Sequence, residues 1–300
     1  MMAKSPRGRL RADLALVAVA LIWGSTFVMV KRALDDVSTI LFLALRFSIA
    51  AAALWFTFRG RGTHYPRNRA AELRGGGVVG AFLFAGYLLQ TAGLKSTTAA
   101  KAGFITGFYI VLVPLLGAAI YRRMPNASEL IGVVMATVGM SMMTLQSAKL
   151  DIGRGDLLVL GCAVAFACHI LALGYYSRSM SYEALSLYQV ATCALLASGS
   201  FWWMETPRLV WSWAVIVTLA VTSLLATALS FSVQSWAQQF TTPTRTALIF
   251  SLEPVFAWIT SFLLAGEVLS LRAAAGAVLI LSGILLVEMK PIRFLSHPSS

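Results

Sequence analysis

Apolar residues gather into ten stretches along the chain, at about residues 13–34, 37–58, 75–94, 98–121, 128–146, 155–176, 183–204, 209–238, 243–265 and 271–289. Each is long enough to cross a bilayer, because a helix rising 1.5 Å per residue needs about 20 mostly apolar residues to span about 30 Å of hydrocarbon. The connections are short, and only residues 59–74, RGRGTHYPRNRAAELR, make a loop of any size. The pattern predicts an all-α integral membrane protein of ten transmembrane helices with no separate soluble domain.

The stretches repeat. DLALVAVALIW from Asp13 lies over DLLVLGCAVAF from Asp156, a shift of 143 residues that sets Trp23 on Phe166 and, in the following helices, Arg46 on Gln189. Further on the shift becomes 144, pairing Tyr87 with Phe231, Gln90 with Gln234, Lys101 with Arg245, Gly132 with Gly276 and Gly139 with Gly283. Five helices per copy is an odd number, so the second copy enters the membrane from the opposite side. The expected build is two inverted five-helix repeats about a pseudo-two-fold axis in the membrane plane, with a solute site near the midplane. The predicted organisation is a tail over 1–12, a first repeat over 13–146, a linker over 147–154, a second repeat over 155–289 and a tail over 290–300. Residues up to about 30 resemble a signal peptide with Ala18-Val19-Ala20 as a cleavage site. They form a repeated helix, so no cleavage is expected.

Composition agrees: 58% of the 300 residues are hydrophobic, 12% are charged, and mean hydropathy is +0.78, far from the balance of a water-soluble domain. The net charge of +12 changes the picture only through its placement. Fifteen Lys and Arg fall on the side of the N-terminus and eight on the other, with Arg46 left inside the membrane. The positive-inside rule then puts both termini in the cytoplasm. No continuous basic face with interleaved aromatics exists, which argues against a nucleic-acid partner. Cys162, Cys168 and Cys193 lie in apolar runs and are odd in number, so they read as small buried hydrophobes and not as a disulfide framework.

Four blocks are similar to a known family: WGSTFVMVKRAL (23–34), LFLALRFSIAAAAL (41–54), TTAAKAGFITGFYIVLVPLLGA (97–118) and ALIFSLEPVFAWITSFLLAGEVLSLRAAAGAVLILSGILLV (247–287). Together with the two-times-five pattern they resemble the EamA family of the drug/metabolite transporter superfamily, over nearly the whole chain. The last block, with Leu-Glu-Pro-Val and Gly-Glu elements, is the most specific. The resemblance implies a multi-pass permease of the bacterial inner membrane, often an exporter of amino acids or other small metabolites, with a central cavity walled by both halves. It names no substrate.

Intramembrane ionisable groups cost about 2.5–3.5 kcal/mol each on insertion scales, so they usually face a cavity or a partner. Glu253 lies roughly 15 Å into its helix by helical rise, and Pro254 after it cannot donate to the carbonyl of Phe250, which predicts a bend. The carboxylate is a candidate for binding a cationic group or carrying a proton; a structural acceptor is the alternative. Arg46 lies roughly 13 Å deep from the other side. It can pair with Glu253, bind a substrate carboxylate, or snorkel to one face. His169, equivalent to Thr26, is a coupling candidate or a packing residue. Gln90 and Gln234, with Tyr87 and Phe231, are symmetric amides beside aromatics that suit a planar or amino-acid-like solute, or else bond between helices. Trp23 and Tyr109 complete the candidate walls, with Ser25, Thr26 and Phe104 nearby. Tyr109 occupies the repeat position of Glu253, so the cavity is electrostatically asymmetric. Gly103 and Gly107 suggest a small-residue face on the fourth helix.

No paired acidic motif, HExxH helix, nucleophile elbow or Walker sequence is present, which speaks against an enzyme, a metal site or a cofactor. A channel would show a charged ring or filter loop, and none is visible. With no ATP-binding sequence, uphill transport must use an ion gradient or exchange. The favoured expectation is export of a metabolite by alternating access; the rival is proton exchange for a cationic drug through Glu253. The expected partners are a small solute and the lipid bilayer, with monomer and homodimer equally open.

Overall fold

The computed structural model describes residues 6–60, 68–97, 99–122, 125–144, 153–265 and 270–289. Residues 61–67 of the 59–74 loop, the linker through residue 152, the 290–300 tail, and His64, Glu267 and His297 lie outside them. In chain order the helices are α1 (Pro6–Ala33), α2 (Thr39–Phe58), α3 (Arg69–Leu94), α4 (Ala99–Gly107), α5 (Tyr109–Tyr121), α6 (Ala127–Thr144), α7 (Arg154–Tyr176), α8 (Tyr182–Met204), α9 (Trp213–Ser223), a π-helical turn (Leu224–Leu229), α10 (Ser230–Ala237), α11 (Pro243–Phe250), α12 (Glu253–Ala265) and α13 (Leu271–Met289). Among the described residues there is no strand, only an isolated antiparallel bridge between Val37 and Leu209.

Among the described residues, seven stretches are long and apolar enough to cross a membrane: Gly8–Ala33, Thr39–Phe58, Arg69–Leu94, Ala102–Tyr121, Arg154–Tyr176, Tyr182–Met204 and Trp213–Ala237. Ala127–Met143 and Leu271–Val287 are shorter apolar helices. Residues 243–265, expected as one span, divide into α11 and α12. The cause is chemical: Pro254 has no N–H for the Phe250 carbonyl, and the chain tightens ahead of it. The Ser251 amide turns to the Leu248 carbonyl at 3.1 Å, the Leu252 amide to the Ile249 carbonyl at 3.1 Å, and Ser251 Oγ reaches the Leu248 carbonyl at 2.6 Å. A matching break separates α4 from α5 at Phe108, whose amide bonds the Ile105 carbonyl at 3.1 Å.

Three starts differ from the hydrophobic pattern for identifiable reasons. α1 runs back to Pro6 through a basic first turn. α3 begins at Arg69 and not near 75, because Asn68 Oδ1 accepts the Ala71 amide at 3.2 Å and Glu72 sits in the first turn, favourable at the positive end of the helix dipole. α9 begins at Trp213 and not near 209, because the preceding residues pair elsewhere: the Ser38 amide bonds the Arg208 carbonyl and the Val210 amide bonds the Asp36 carbonyl, both at 2.8 Å. Ser212 then caps α9 through the Val215 amide and donates its own hydroxyl to Asp36 Oδ2 at 2.6 Å.

Small residues set how closely the helices pack. On the α3 face toward α8, a Cβ at Gly76 would lie 2.2 Å from Tyr188 Cβ, and one at Gly80 would lie 2.5 Å from the Gln189 carbonyl oxygen. α6 and α13 meet reciprocally. Gly139 and Gly276 each stand so that an added Cβ would be 2.5 Å from the other's carbonyl oxygen, and Gly132 and Gly283 do the same at 2.9 and 2.8 Å. The small-residue face expected at Gly103 and Gly107 is only half realised: an added Cβ at Gly103 meets nothing within 4 Å, while Gly107 packs against the Met140 side chain. Cys162 and Cys193 are buried and Cys168 is half-buried, and all three are free thiols.

Outward-facing side chains are apolar, among them Leu14, Leu195, Leu263 and Leu285. Trp202, Trp203, Trp211 and Trp213 are 64–78% exposed around the α8–α9 connection. Exposed tryptophans grouped at one helix end match the aromatic belt at a membrane–water interface.

Candidate central cavity

A cavity of about 90 Å³ lies in the middle of the bundle, where α5 and α12 begin after their breaks. All nine sequence-predicted site residues line it: Trp23, Arg46, Tyr87, Gln90 and Tyr109 from the first half, and His169, Phe231, Gln234 and Glu253 from the second. Thr26 lines it as well. Ser25 bonds back to the Ile22 carbonyl at 2.9 Å, and Phe104 packs against the core.

Arg46 is 4% exposed, and its guanidinium is held from three directions. Nε donates to Thr227 Oγ1 at 2.7 Å, while Nη2 donates to Tyr87 Oη at 3.2 Å and reaches the Ala226 carbonyl at 3.4 Å. The cation also lies 4.7 Å from the Tyr87 ring centroid, in cation–π range. The Ala226 carbonyl is available because of the π turn. The Ser230 amide bonds the Leu225 carbonyl, five residues back, so Ala226 loses the donor an α-helix would give it. Trp23 Nε1 takes that place at 2.8 Å.

Glu253 stands at the first turn of α12 and accepts a hydrogen bond from Tyr109 Oη at 3.2 Å. The possible ion pair between Arg46 and Glu253 is not formed among the described residues, because the arginine's partners are Thr227, Tyr87 and Ala226. The helix dipole and the phenol support the carboxylate in the arginine's stead. Tyr109 and Glu253 are 144 residues apart, the offset between repeat-related positions.

His169 is 2% exposed, with Nε2 2.9 Å from Gln189 Oε1. Gln189 Nε2 in turn donates to Ser235 Oγ at 2.9 Å. The residue equivalent to Arg46 therefore holds a histidine through a neutral amide. The two symmetric glutamines behave differently. Gln90 Nε2 donates to Thr106 Oγ1 at 3.2 Å, whereas Gln234, 1% exposed, has no protein partner for its buried Oε1. An unpaired buried polar group of this kind costs about 1–3 kcal/mol. Aromatic edges close the walls: Trp23 is 4.8 Å from Phe250 and 5.5 Å from Phe231, and Tyr87 is 5.4 Å from Phe166, centroid to centroid.

The family model of the EamA-like transporter family matches residues 10–145 and, a second time, residues 153–289. The chain belongs to that family. It is 36% identical to an uncharacterized transporter of Archaeoglobus fulgidus (strain ATCC 49558 / DSM 4304 / JCM 9628 / NBRC 100126 / VC-16) over 94% of this chain and 87% of the relative. It is 21% identical to the uncharacterized transporter YoaV of Bacillus subtilis (strain 168) over 90% of this chain and 94% of that one. A crystal structure 19% identical in sequence superposes with a TM-score of 0.79, covering 96% of this chain and 100% of the other, a likeness of fold. Family and relatives make the protein a multi-pass membrane transporter.

Several cavity residues of this EamA member were not evident from sequence. Phe166, Thr106 and Phe250 line the cavity although they read as ordinary helix residues. For Gln189, which holds His169, the one sequence signal is its alignment with Arg46 in the repeat. The Ala226 carbonyl had no signal, since a π turn in LLATAL follows from packing and not from residue type.

Proposed function

We propose that this EamA transporter is a secondary carrier that moves a small polar metabolite, an amino acid or related solute, out across the bacterial inner membrane by alternating access. Counting 127–144, 243–265 and 271–289 as crossings gives ten, and the Lys and Arg bias then keeps both termini in the cytoplasm. Three features support two inverted repeats. Glycines that meet reciprocally, 139 with 276 and 132 with 283, are the self-complementary contact of a two-fold axis. Helix breaks fall at equivalent positions, and the family model matches twice.

One observation carries the reading: the nine polar and aromatic candidates, drawn from both halves, converge on one cavity between two broken helices. Broken helices put backbone dipoles and free carbonyls where a polar solute must shed water. Glu253 and Arg46 offer opposite charges to that solute, and the aromatic edges cover its apolar part. Overproduction at matched membrane levels tests this by mass spectrometry of the medium. Wild type is expected to enrich a few metabolites over empty cells, and Glu253→Gln to lose that enrichment. Equal enrichment by both would leave Glu253 a structural acceptor. No enrichment by either would sink metabolite export.

Proton-coupled efflux of a cationic drug is the alternative. Its support is that Arg46 bonds elsewhere, leaving Glu253 with a single phenol among aromatic rings. Raised tolerance to cationic dyes in the same overproducing cells, lost in Glu253→Gln, would favour it.

A further inference from the structure

Among the described residues, buried side-chain atoms without a hydrogen-bond partner concentrate on one face of the chain leaving the cavity. Gln234 Oε1, both polar atoms of Gln238, and Thr241 Oγ1 are all in this state, on residues 1%, 2% and 6% exposed. The spacing is four and then three residues. The Gln238 amide bonds the Gln234 carbonyl at 2.9 Å and the Thr241 amide bonds the Ala237 carbonyl at 3.0 Å, so helical spacing persists past the end of α10. These three side chains form a column that starts at the cavity wall and runs to the α10–α11 junction. Buried polar groups without partners are costly and rare, and three along one helical face are not a packing accident.

Their counterparts 144 residues earlier are Gln90, Leu94 and Thr97. Gln90 and Leu94 line the cavity, together with Val30, Phe42 and Leu43 at the end of the bundle holding the α1–α2 connection. The counterparts of the last three, Leu173, Leu185 and Ser186, are fully buried and do not line it. Among the described residues, the cavity thus reaches toward the end holding the α1–α2 connection, while the repeat-related residues at the other end stay packed. At the other end the α7–α8 connection closes over the α10–α11 junction. Ser177 Oγ donates to the Gln238 carbonyl at 3.2 Å, Gln239 Nε2 donates to the Met180 carbonyl at 3.3 Å, and a Cβ at Gly174 would stand 2.7 Å from Pro243 Cγ.

We infer that Gln234, Gln238 and Thr241 line the cytoplasmic half of the solute path, shut in this conformation and wetted when the α7–α8 connection lifts. This rests on the proposed inverted halves: exchanging their conformations gives 234, 238 and 241 the role that 90 and 94 have here. The lining is uncharged, with amide and hydroxyl groups at successive turns. It therefore suits a solute that keeps hydrogen bonds along the way, and it presents no fixed charge to trap one.

Cysteine labelling tests the path without knowing the substrate. In a background with Cys162, Cys168 and Cys193 replaced by alanine, a membrane-impermeant charged maleimide is applied separately to each membrane face. Gln238→Cys is expected to react from the cytoplasmic face at least about tenfold faster than Ala237→Cys, because a minor inward state populated at about 0.1–10% exposes one and not the other. Ala237 is at the same depth with 0% exposure and packs in the core. Val30→Cys should react from the outer face. If Val30→Cys reacts as expected but Gln238→Cys is no faster than Ala237→Cys, the inner path is overturned while the carrier reading stands. If Val30→Cys does not react from outside, the one-sided cavity fails and this inference with it. A second readout separates path from scaffold: Gln238→Leu/Thr241→Val should raise the thermal midpoint in detergent, where a residue serving the fold would lower it. A lowered midpoint would also overturn the assignment.

Discussion

Replacing Arg46 by leucine is expected to lower the unfolding free energy by about 1–3 kcal/mol, because the buried acceptors it serves are left without their donor. The side chain links α2 to the π turn through Thr227 and the Ala226 carbonyl, and to α3 through Tyr87. Without it, Thr227 Oγ1 loses a 2.7 Å donor, and the Ala226 carbonyl keeps only the Trp23 indole. Arg46→Lys should recover little, since an ammonium cannot reach Thr227 and Tyr87 at once as the planar fork does. Tyr87→Phe removes one acceptor from a cation that keeps two, and should cost about 1 kcal/mol. Thermal midpoints of the detergent-solubilised proteins, read by the loss of the monodisperse peak on size exclusion, give the order. A stable Arg46→Leu would mean that packing alone holds the π turn.

The run Gly75-Gly76-Gly77 gives the second large effect, and its sign changes within two residues. Gly77→Ala should stabilise by about 0.5–1 kcal/mol, because an added Cβ there meets nothing within 4 Å and alanine costs less helix entropy than glycine. Gly76→Ala and Gly80→Ala should destabilise by about 1–3 kcal/mol each, as overpacking does. Their added carbons would fall 2.2 Å from Tyr188 Cβ and 2.5 Å from the Gln189 carbonyl, and neither neighbour is the far end of a flexible chain. Gly80→Val should leave no folded protein. Displacing Gln189 also loosens its bonds to His169 and Ser235, so the damage reaches the cavity wall. The same midpoint measurement decides, and equal behaviour at 76 and 77 would refute the close α3–α8 approach.

Much of the molecule could be read from the chain before any coordinates. Spanning-length apolar runs demand helices because hydrocarbon offers backbone groups no other partner, and that constraint acts locally. Glu253, Arg46, Gln90 and Gln234 stood out because a polar group in an apolar run must be answered by a cavity or a partner. The repeat added where to look: equivalent positions in two copies placed rare polar residues at one depth. The break at Glu253-Pro254 was visible in the proline. The equivalent break at Phe108 has no proline in it and was not.

Tertiary packing decided the rest. Opposite charges at similar depth suggested an Arg46–Glu253 pair, but depth along two helices says nothing of rotation about them, and each found a nearer partner. Gln90 and Gln234 are the same residue at the same repeat position, yet one is bonded to Thr106 and the other is left unpaired. The partner makes the difference: the counterpart of Thr106, 144 residues on, is Phe250, which offers Gln234 no hydroxyl. The π turn at 224–229 likewise depends on what lies across the helix interface, where Arg46 and Trp23 meet it. Sequence by itself determined which residues must leave lipid; only the assembled bundle determined which of them meet, because hydrophobicity is additive along a chain while hydrogen-bond partnership depends on three-dimensional distance and angle.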